Sequence, residues 1–280
     1  MTCDGIRVSR EWLALREPAD AAARADDLAE RLGRAVPATG RWVIHDLGCG
    51  TGAMGRYLAH RLPGPQHWVV HDRDADLLEI ATADLPGLAA DGAAVTVEAK
   101  RTDITGLGPG DLAGATLITA SALLDLLTGD ELTQLVTICA GAECPVLLTL
   151  SVVGHVELTP WDPLDRRVAG AFDGHQRRRT PRGRLLGPDA VTRAVEEFGR
   201  VGAEVLVQPS PWRLGAVHAD LAAEWFTGWV AAACEQQGDL AAETDVYRRR
   251  RLAQATAGQL AVTVDHADLL ALPAQPERRT

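Results

Sequence analysis

Short unbroken apolar runs alternate along this chain with stretches in which apolar residues recur every three or four positions. The runs lie at residues 42–47 (WVIHDL), 67–72 (HWVVHD), 93–99 (AAVTVEA), 115–121 (ATLITAS) and 145–153 (PVLLTLSVV). Each has the length of a strand, and strands this apolar belong inside a sheet covered on both faces. Helical spacing follows residue 52 through Met54, Tyr57 and Leu58. It returns at 75–83 behind Asp74 as N-cap, and at 129–142 through Leu132, Leu135, Val136 and Cys139. Alternating strands and helices predict a doubly wound α/β architecture with right-handed crossovers. A reversal of direction after the third strand sets the first and fourth strands side by side. Ligands bind where the carboxyl ends of those two strands part.

The flanks are helical. Residues 9–36 place Trp12, Leu13 and Leu15, then Ala22, Ala25, Leu28 and Leu32, on two helices broken near Pro18. Residues 188–202 read as a helix, 203–208 as a strand, and 209–215 as a turn holding Trp212. The helix 220–237 carries an aromatic stripe (Trp225, Phe226, Trp229). A basic helix at 243–257 and a closing strand at 259–273 follow. Residues 274–280 read as disordered. The stretch 154–187 is the most polar: between Trp161 and Arg184 it holds seven arginines against three acids. A long connection leaving the carboxyl end of a strand is where acceptor-binding groups usually hang.

At 280 residues the chain can bury a full core. Its net charge of −10 argues against a general nucleic-acid or membrane-surface binder. No apolar run approaches membrane-spanning length and the start resembles no signal peptide, so a cytoplasmic location is expected. The five cysteines (Cys3, Cys49, Cys139, Cys144, Cys234) form no paired or Cys/His metal spacing, which fits a reducing compartment and no metal. Lys100 is the one lysine among 28 basic residues. Such a bias reads as codon usage, so arginine count alone says little about function.

The chemistry concentrates at Asp46-Leu47-Gly48-Cys49-Gly50-Thr51-Gly52, where a strand breaks into alternating glycines before a helix. Glycine lets the backbone come close to a nucleotide, and the helix behind it offers unpaired N–H groups. Gly50 to Gly55 also spells the dinucleotide fingerprint, so an NAD(P)-dependent oxidoreductase is the alternative. Asp46 speaks against it. A carboxylate in the mouth of the loop attracts a ligand with an ammonium and a sulfonium, and repels a pyrophosphate. Asp72 lies 20 residues beyond Gly52 at the end of the second run, where a βαβ unit places its ribose-binding acid.

The string 46–52 resembles motif I of the class I S-adenosylmethionine-dependent methyltransferases, and the resemblance covers 42–153 well. It implies a Rossmann-like fold, S-adenosyl-L-methionine as cofactor and S-adenosyl-L-homocysteine as product. It also implies cofactor contacts at Asp46, Gly48, Cys49, Gly50, Gly52, Asp72, Arg73, Asp103, Ile104 and Ser121, with Asp72 on the ribose, Asp103 on the adenine amino group and Ile104 against the ring. The Asn/Asp-Pro-Pro-aromatic motif that many nitrogen-specific members carry after the fourth strand is absent from 122–127 (ALLDLL), which favours a small-molecule acceptor, as in specialised metabolism. A non-methylating S-adenosylmethionine binder would carry the same loop.

The expected whole is one domain over 1–280 with a mostly parallel seven-stranded sheet. It comprises a helical cap (9–36), a cofactor-binding core (42–153), a substrate loop (154–187) and a helical insertion (216–258) before the last strand. Methyl transfer asks chiefly for orientation and exclusion of water, and a hydroxyl acceptor adds the need for a base. His155, just after the fifth strand, is the first candidate, with Asp125 and His175 next. The arginines around 166–178 suggest an acceptor with a carboxylate or phosphate.

Overall fold

The computed structural model describes residues 8–35 and 40–273; the tail expected to be disordered, 274–280, lies outside them. The chain opens with α1 (Arg10–Ala23) and α2 (Asp26–Ala35). It continues through β1 (Trp42–Leu47), α3 (Ala53–Ala59), β2 (Gln66–Asp72), α4 (Ala75–Ala83), β3 (Val95–Arg101), β4 (Leu117–Ser121), α5 (Gly129–Gly141) and β5 (Val146–Thr159). Then come α6 (Pro163–Gln176), a small hairpin of β6 (Arg179–Thr180) and β7 (Gly183–Arg184), α7 (Ala190–Arg200), β8 (Glu204–Pro209) and β9 (Trp212–Leu214). The chain closes with α8 (Ala219–Gln236), α9 (Leu240–Thr256) and β10 (Ala261–Leu272).

The main sheet runs β3-β2-β1-β4-β5-β10-β8, with β9 pairing to β10 as an eighth strand. Strands β1 to β5 are parallel, and β10 is antiparallel to β5, β8 and β9. This is a Rossmann-like, doubly wound α/β fold, with β1 and β4 adjacent where the strand order reverses.

Alternation along the strands sorts side chains into two apolar layers. Ile44, Leu117, Leu147 and Leu270 face α2, α3 and α4 with Trp68 and Val70. Leu47, Ile118, Leu148 and Leu269 face α5 and α7. A third cluster packs Val168 of α6, Phe226 and Trp229 of α8 and Tyr247 of α9 against Trp212, Leu214, Val262 and Val264.

Four expectations are corrected. Helix α1 runs through Pro18, and the break falls at Arg24, whose backbone turns extended (ψ 141). Pro18 removes only its own N–H, and the helix side before it is not buried, so water can take the freed carbonyl. Strand β5 continues to Thr159 rather than ending at 153, and with β9 and β10 it builds an arm beyond the β4 edge. The expected loop therefore begins with strand and contains α6 and the β6–β7 hairpin. Residues 212–214 pair with Val262–Val264 where a turn was expected, so the sheet has eight strands rather than seven. The basic helix α9 begins at Leu240, ahead of 243.

Candidate functional site

The glycine loop leaves β1 with Gly48, Gly50 and Gly52 at φ 65°, 55° and 86°, a left-handed backbone that side chains resist. Cys49 N–H donates to the His71 carbonyl at 2.9 Å, which ties the loop to β2. The Asp72 carboxylate accepts from Gly50 N–H and from Asp74 N–H, both at 2.9 Å. Asp72 thus braces the loop from the end of β2.

Asp46 is 1 % exposed. Its Oδ1 accepts from the Thr119 hydroxyl at 2.8 Å, and its Oδ2 has no hydrogen-bond partner. Burial pushes this carboxyl up to about 7, against the opposing pull of the Thr119 bond and the Arg24 charge. Arg24, between α1 and α2, is 5 % exposed. Its Nη2 donates to Ser121 Oγ at 3.2 Å, and its Nε makes a long bond to Thr149 Oγ1 at 3.5 Å. Its guanidinium lies 4.9 Å from the Tyr57 ring centre, and its Nη1 is unpartnered. Burial lowers the Arg24 pKa, opposed by Asp20 and Asp268. A buried carboxylate oxygen and a buried guanidinium nitrogen therefore lack partners, within electrostatic reach of one another, near the ends of β1 and β4 and beside Thr149 of β5. Leaving each unpaired costs about 1–3 kcal/mol or more.

The backbone is strained just after β4 and within β5. Ala122 and Leu150 have φ 51° and 56°, which costs about 1–2 kcal/mol for each. Leu150 N–H donates to Asp268 Oδ1 at 2.7 Å, and Asp268 also accepts from the Ser210 hydroxyl and Ala25 N–H. The turn at Ala122 brings Leu123 over Gly48, 3.3 Å from where a Cβ would sit. Leu13 of α1 lies over Gly50 in the same way, at 3.2 Å. These two leucines wall the open faces of the glycine loop.

The other expected cofactor residues divide. Asp103 caps the turn Ile104–Gly106, its Oδ1 accepting from Thr105 N–H and hydroxyl. Burial works against its ionisation, but those bonds with Arg73 and Arg182 hold its carboxyl below the ordinary range. Ile104 packs against the core. The Arg73 carbonyl accepts from Arg101 Nε at 3.2 Å. Cys49 is buried, and burial pushes its thiol up, out of the reactive range.

The two candidate histidine bases each have a carboxylate partner. His155 is on the outer, exposed face of the arm, its Nδ1 2.8 Å from Asp265 Oδ2. Because β5 continues past 153, alternation sends residue 155 away from the crevice. His175 ends α6 with Nε2 3.1 Å from Glu235 of α8, and burial and Arg178 lower its pKa. Asp125 lies in the turn Leu124–Leu126 that follows β4. Burial pushes it up to about 6, against its own backbone amide, Arg16 of the cap and Arg178 of the hairpin side.

Three of the seven arginines of the basic stretch are engaged in ion pairs: Arg167 with Glu243, Arg177 with Asp189 and Arg182 with Glu131. Two arginines of the run 248–251 reach across to the start of α6. Arg250 pairs with Asp162, and Arg251, 1 % exposed, forks onto Asp165 at 2.7 and 2.6 Å. Sequence reasoning missed Arg24, Thr119, Thr149 and Asp268. No local pattern marks them, since their partners come from distant elements.

Among the described residues no cluster of three or more His, Cys, Asp or Glu is placed to hold a metal, and no helix is long and apolar enough to cross a membrane. No protein-family model matches the chain, and no curated protein matches it. Solved structures do. The YcgJ protein from Bacillus subtilis is 12% identical, with 90% of this chain and 100% of that one covered at a TM-score of 0.49. The cyclopropane synthase MmaA2 from Mycobacterium tuberculosis is 13% identical over 94% of each chain, at 0.49. An S-adenosylmethionine-dependent methyltransferase from Geobacter sulfurreducens, in complex with S-adenosyl-L-homocysteine, is 13% identical over 96% and 100%, at 0.46. Likenesses this distant say nothing about chemistry; what the crevice can bind is read from its own residues.

Proposed function

We propose that this chain is an S-adenosylmethionine-dependent methyltransferase acting on a small-molecule acceptor and releasing S-adenosylhomocysteine. One observation carries the reading: Asp46 Oδ2, at the end of β1 where the glycine loop begins, and Arg24 Nη1, beside Ser121 and Thr149, are both buried and both lack a partner. An α-amino acid end, with its ammonium and carboxylate, completes both at once. A dinucleotide completes neither, and its pyrophosphate would meet Asp46 and Asp72. The bound cofactor would supply an activated methyl group on a sulfonium for in-line displacement by a nucleophile.

Each residue then has a task. Asp46 holds the ammonium and Arg24 the carboxylate, with Ser121 and Thr149 setting the guanidinium. Asp72 takes the ribose hydroxyls, and Asp103 with Ile104 takes the adenine. Leu13 and Leu123 exclude water from the glycine face. Asp125 is the group left to hold a proton from an acceptor hydroxyl, since His155 and His175 are committed elsewhere. A small acceptor fits the α1 cap on one side and the β6–β7 hairpin on the other, with Arg16 and Arg178 both in electrostatic reach of Asp125. Arg178 is the arginine placed to meet an anionic group.

Calorimetric titration with S-adenosylhomocysteine, NAD and NADP tests the cofactor. Binding of the first alone is expected; binding of a nicotinamide dinucleotide without it would overturn the proposal.

A further inference from the structure

Strand β5 carries a bulge beside Thr149, one of the two hydroxyls that Arg24 touches. Ala267 of β10 pairs with Ser151 and Leu269 with Leu148, so Thr149 and Leu150 together stand opposite the single residue Asp268. A bulge of this kind bends the strand and re-aims the side chains on it. Leu150 takes a left-handed backbone (φ 56°) that a leucine resists, and its N–H donates to Asp268 Oδ1 at 2.7 Å.

The other oxygen of Asp268 reaches a different element. Oδ2 accepts from Ala25 N–H at 2.9 Å, at the junction of α1 and α2. The Ser210 hydroxyl donates to Oδ1 at 2.6 Å and fixes the carboxylate from a third side. Asp268 is 1 % exposed. Burial raises its carboxyl, opposed by the Ser210, Leu150 and Ala25 bonds and by the Arg24 charge. The two N–H groups it holds belong to the peptide units Arg24–Ala25 and Thr149–Leu150. One carboxylate therefore grips the backbone at Arg24 and the backbone at Thr149.

We infer that Asp268 is the positioning residue for the cofactor's amino acid end: by holding those two peptide units together, it sets the Arg24 guanidinium against β5. This rests on the crevice being the S-adenosylmethionine site, with Arg24 on the carboxylate. The bonds Arg24 makes itself are long, 3.2 Å to Ser121 and 3.5 Å to Thr149, and hold it loosely. The short bonds lie one layer behind, on Asp268. Its charge works in the opposite direction, because a carboxylate beside Arg24 repels the carboxylate of an incoming ligand. Position and charge therefore predict effects of opposite sign when Asp268 is neutralised.

Calorimetry on the full-length protein tests this with S-adenosylhomocysteine and with 5′-methylthioadenosine, which has the nucleoside but no amino acid end. Asp268→Asn removes the charge and sets an amide NH2 against one of the N–H donors. S-adenosylhomocysteine should then bind about fivefold or more weakly, and methylthioadenosine as it binds the wild type. Ala25→Pro deletes one donor and leaves the charge in place; the extended backbone of Arg24 (φ −55°, ψ 141°) suits a residue before proline. It should show the same split between the two ligands. Unchanged or tighter S-adenosylhomocysteine binding by Asp268→Asn would overturn the role, as would no loss in Ala25→Pro or an equal loss of both ligands in the two variants. If the wild type binds neither ligand, the cofactor reading falls and the role falls with it. If Arg24→Met loses S-adenosylhomocysteine while both variants keep it, the role of Asp268 falls alone.

Discussion

Replacing Arg24 with methionine should cost binding while leaving the fold nearly as stable as before. The guanidinium is desolvated, and neither hydroxyl it touches depends on it, since Thr149 Oγ1 also donates to Ser121 Oγ at 3.1 Å. A buried charge with an open nitrogen contributes little net stability, and a methionine fills much of its volume beside Tyr57. In binding the balance reverses. A charge-assisted bond to the cofactor carboxylate is worth about 1.5–3 kcal/mol, so S-adenosylhomocysteine should bind about tenfold to a hundredfold more weakly. Calorimetry should be run in parallel with 5′-methylthioadenosine, which keeps the nucleoside and lacks the amino acid end. That ligand should bind the wild type and Arg24→Met alike. An equal loss for both ligands, or a collapse of the urea midpoint, would refute the placement of the carboxylate on Arg24.

The ammonium partner has a pH signature. With its carboxyl raised to about 7 in the free protein, Asp46 is ionised above that pH, so affinity should fall as pH drops below 7, by up to about tenfold per unit, and Asp46→Asn should flatten the profile. The raised folded pKa also means that Asp46 destabilises the free protein as pH rises from about 4 to 7, so Asp46→Asn should raise the denaturation midpoint at pH 8. His45 and His71, stacked in the sheet with Nδ1 and Nε2 3.0 Å apart, act oppositely: burial lowers both to about 4. Their unfolded forms take up protons below about pH 6.5 while the folded forms do not, so stability is lost as pH falls from there towards 4. His45→Leu/His71→Leu should reduce that slope in urea titrations at pH 7 and 5. Arg251→Leu leaves the Asp165 carboxylate in the core without its cation and should cost about 3–5 kcal/mol, with Asp165→Leu in the same chain, which removes the stranded charge, recovering part of it; a loss under 1 kcal/mol by urea denaturation would contradict the buried pair.

What was legible in the chain was local. Continuous apolar runs marked the five parallel strands, and three alternate glycines before a helix marked the loop, because only glycine takes those φ angles cheaply. Asp46 and Asp72 followed from their spacing to that loop. Arg24 was hidden because its role depends on Ser121, 97 residues away, and its neighbour Ala25 is fixed by Asp268, 243 residues away. Among 28 basic residues nothing local sets it apart. Strand β9 was hidden by Pro209 and Pro211, which signal a turn, while the pairing that makes it a strand comes from β10. His155 was misplaced because Gly154 reads as a strand end. The alternation through Val153, His155 and Glu157 instead continues onto an exposed face of the arm. Pro18 was read as a break by a rule for helix interiors, and this helix tolerates it on a half-exposed side.

A crystal structure of the wild-type protein with S-adenosylhomocysteine tests the central claim most directly. The ligand carboxylate should lie about 3 Å from Arg24 Nη1, its ammonium at the same distance from Asp46 Oδ2, and its ribose hydroxyls on Asp72. The space facing the sulfur should be bounded by Asp125, Arg16 and Arg178. An amino acid end turned away from Arg24 and Asp46, or a ligand lodged outside the glycine loop, would contradict the account.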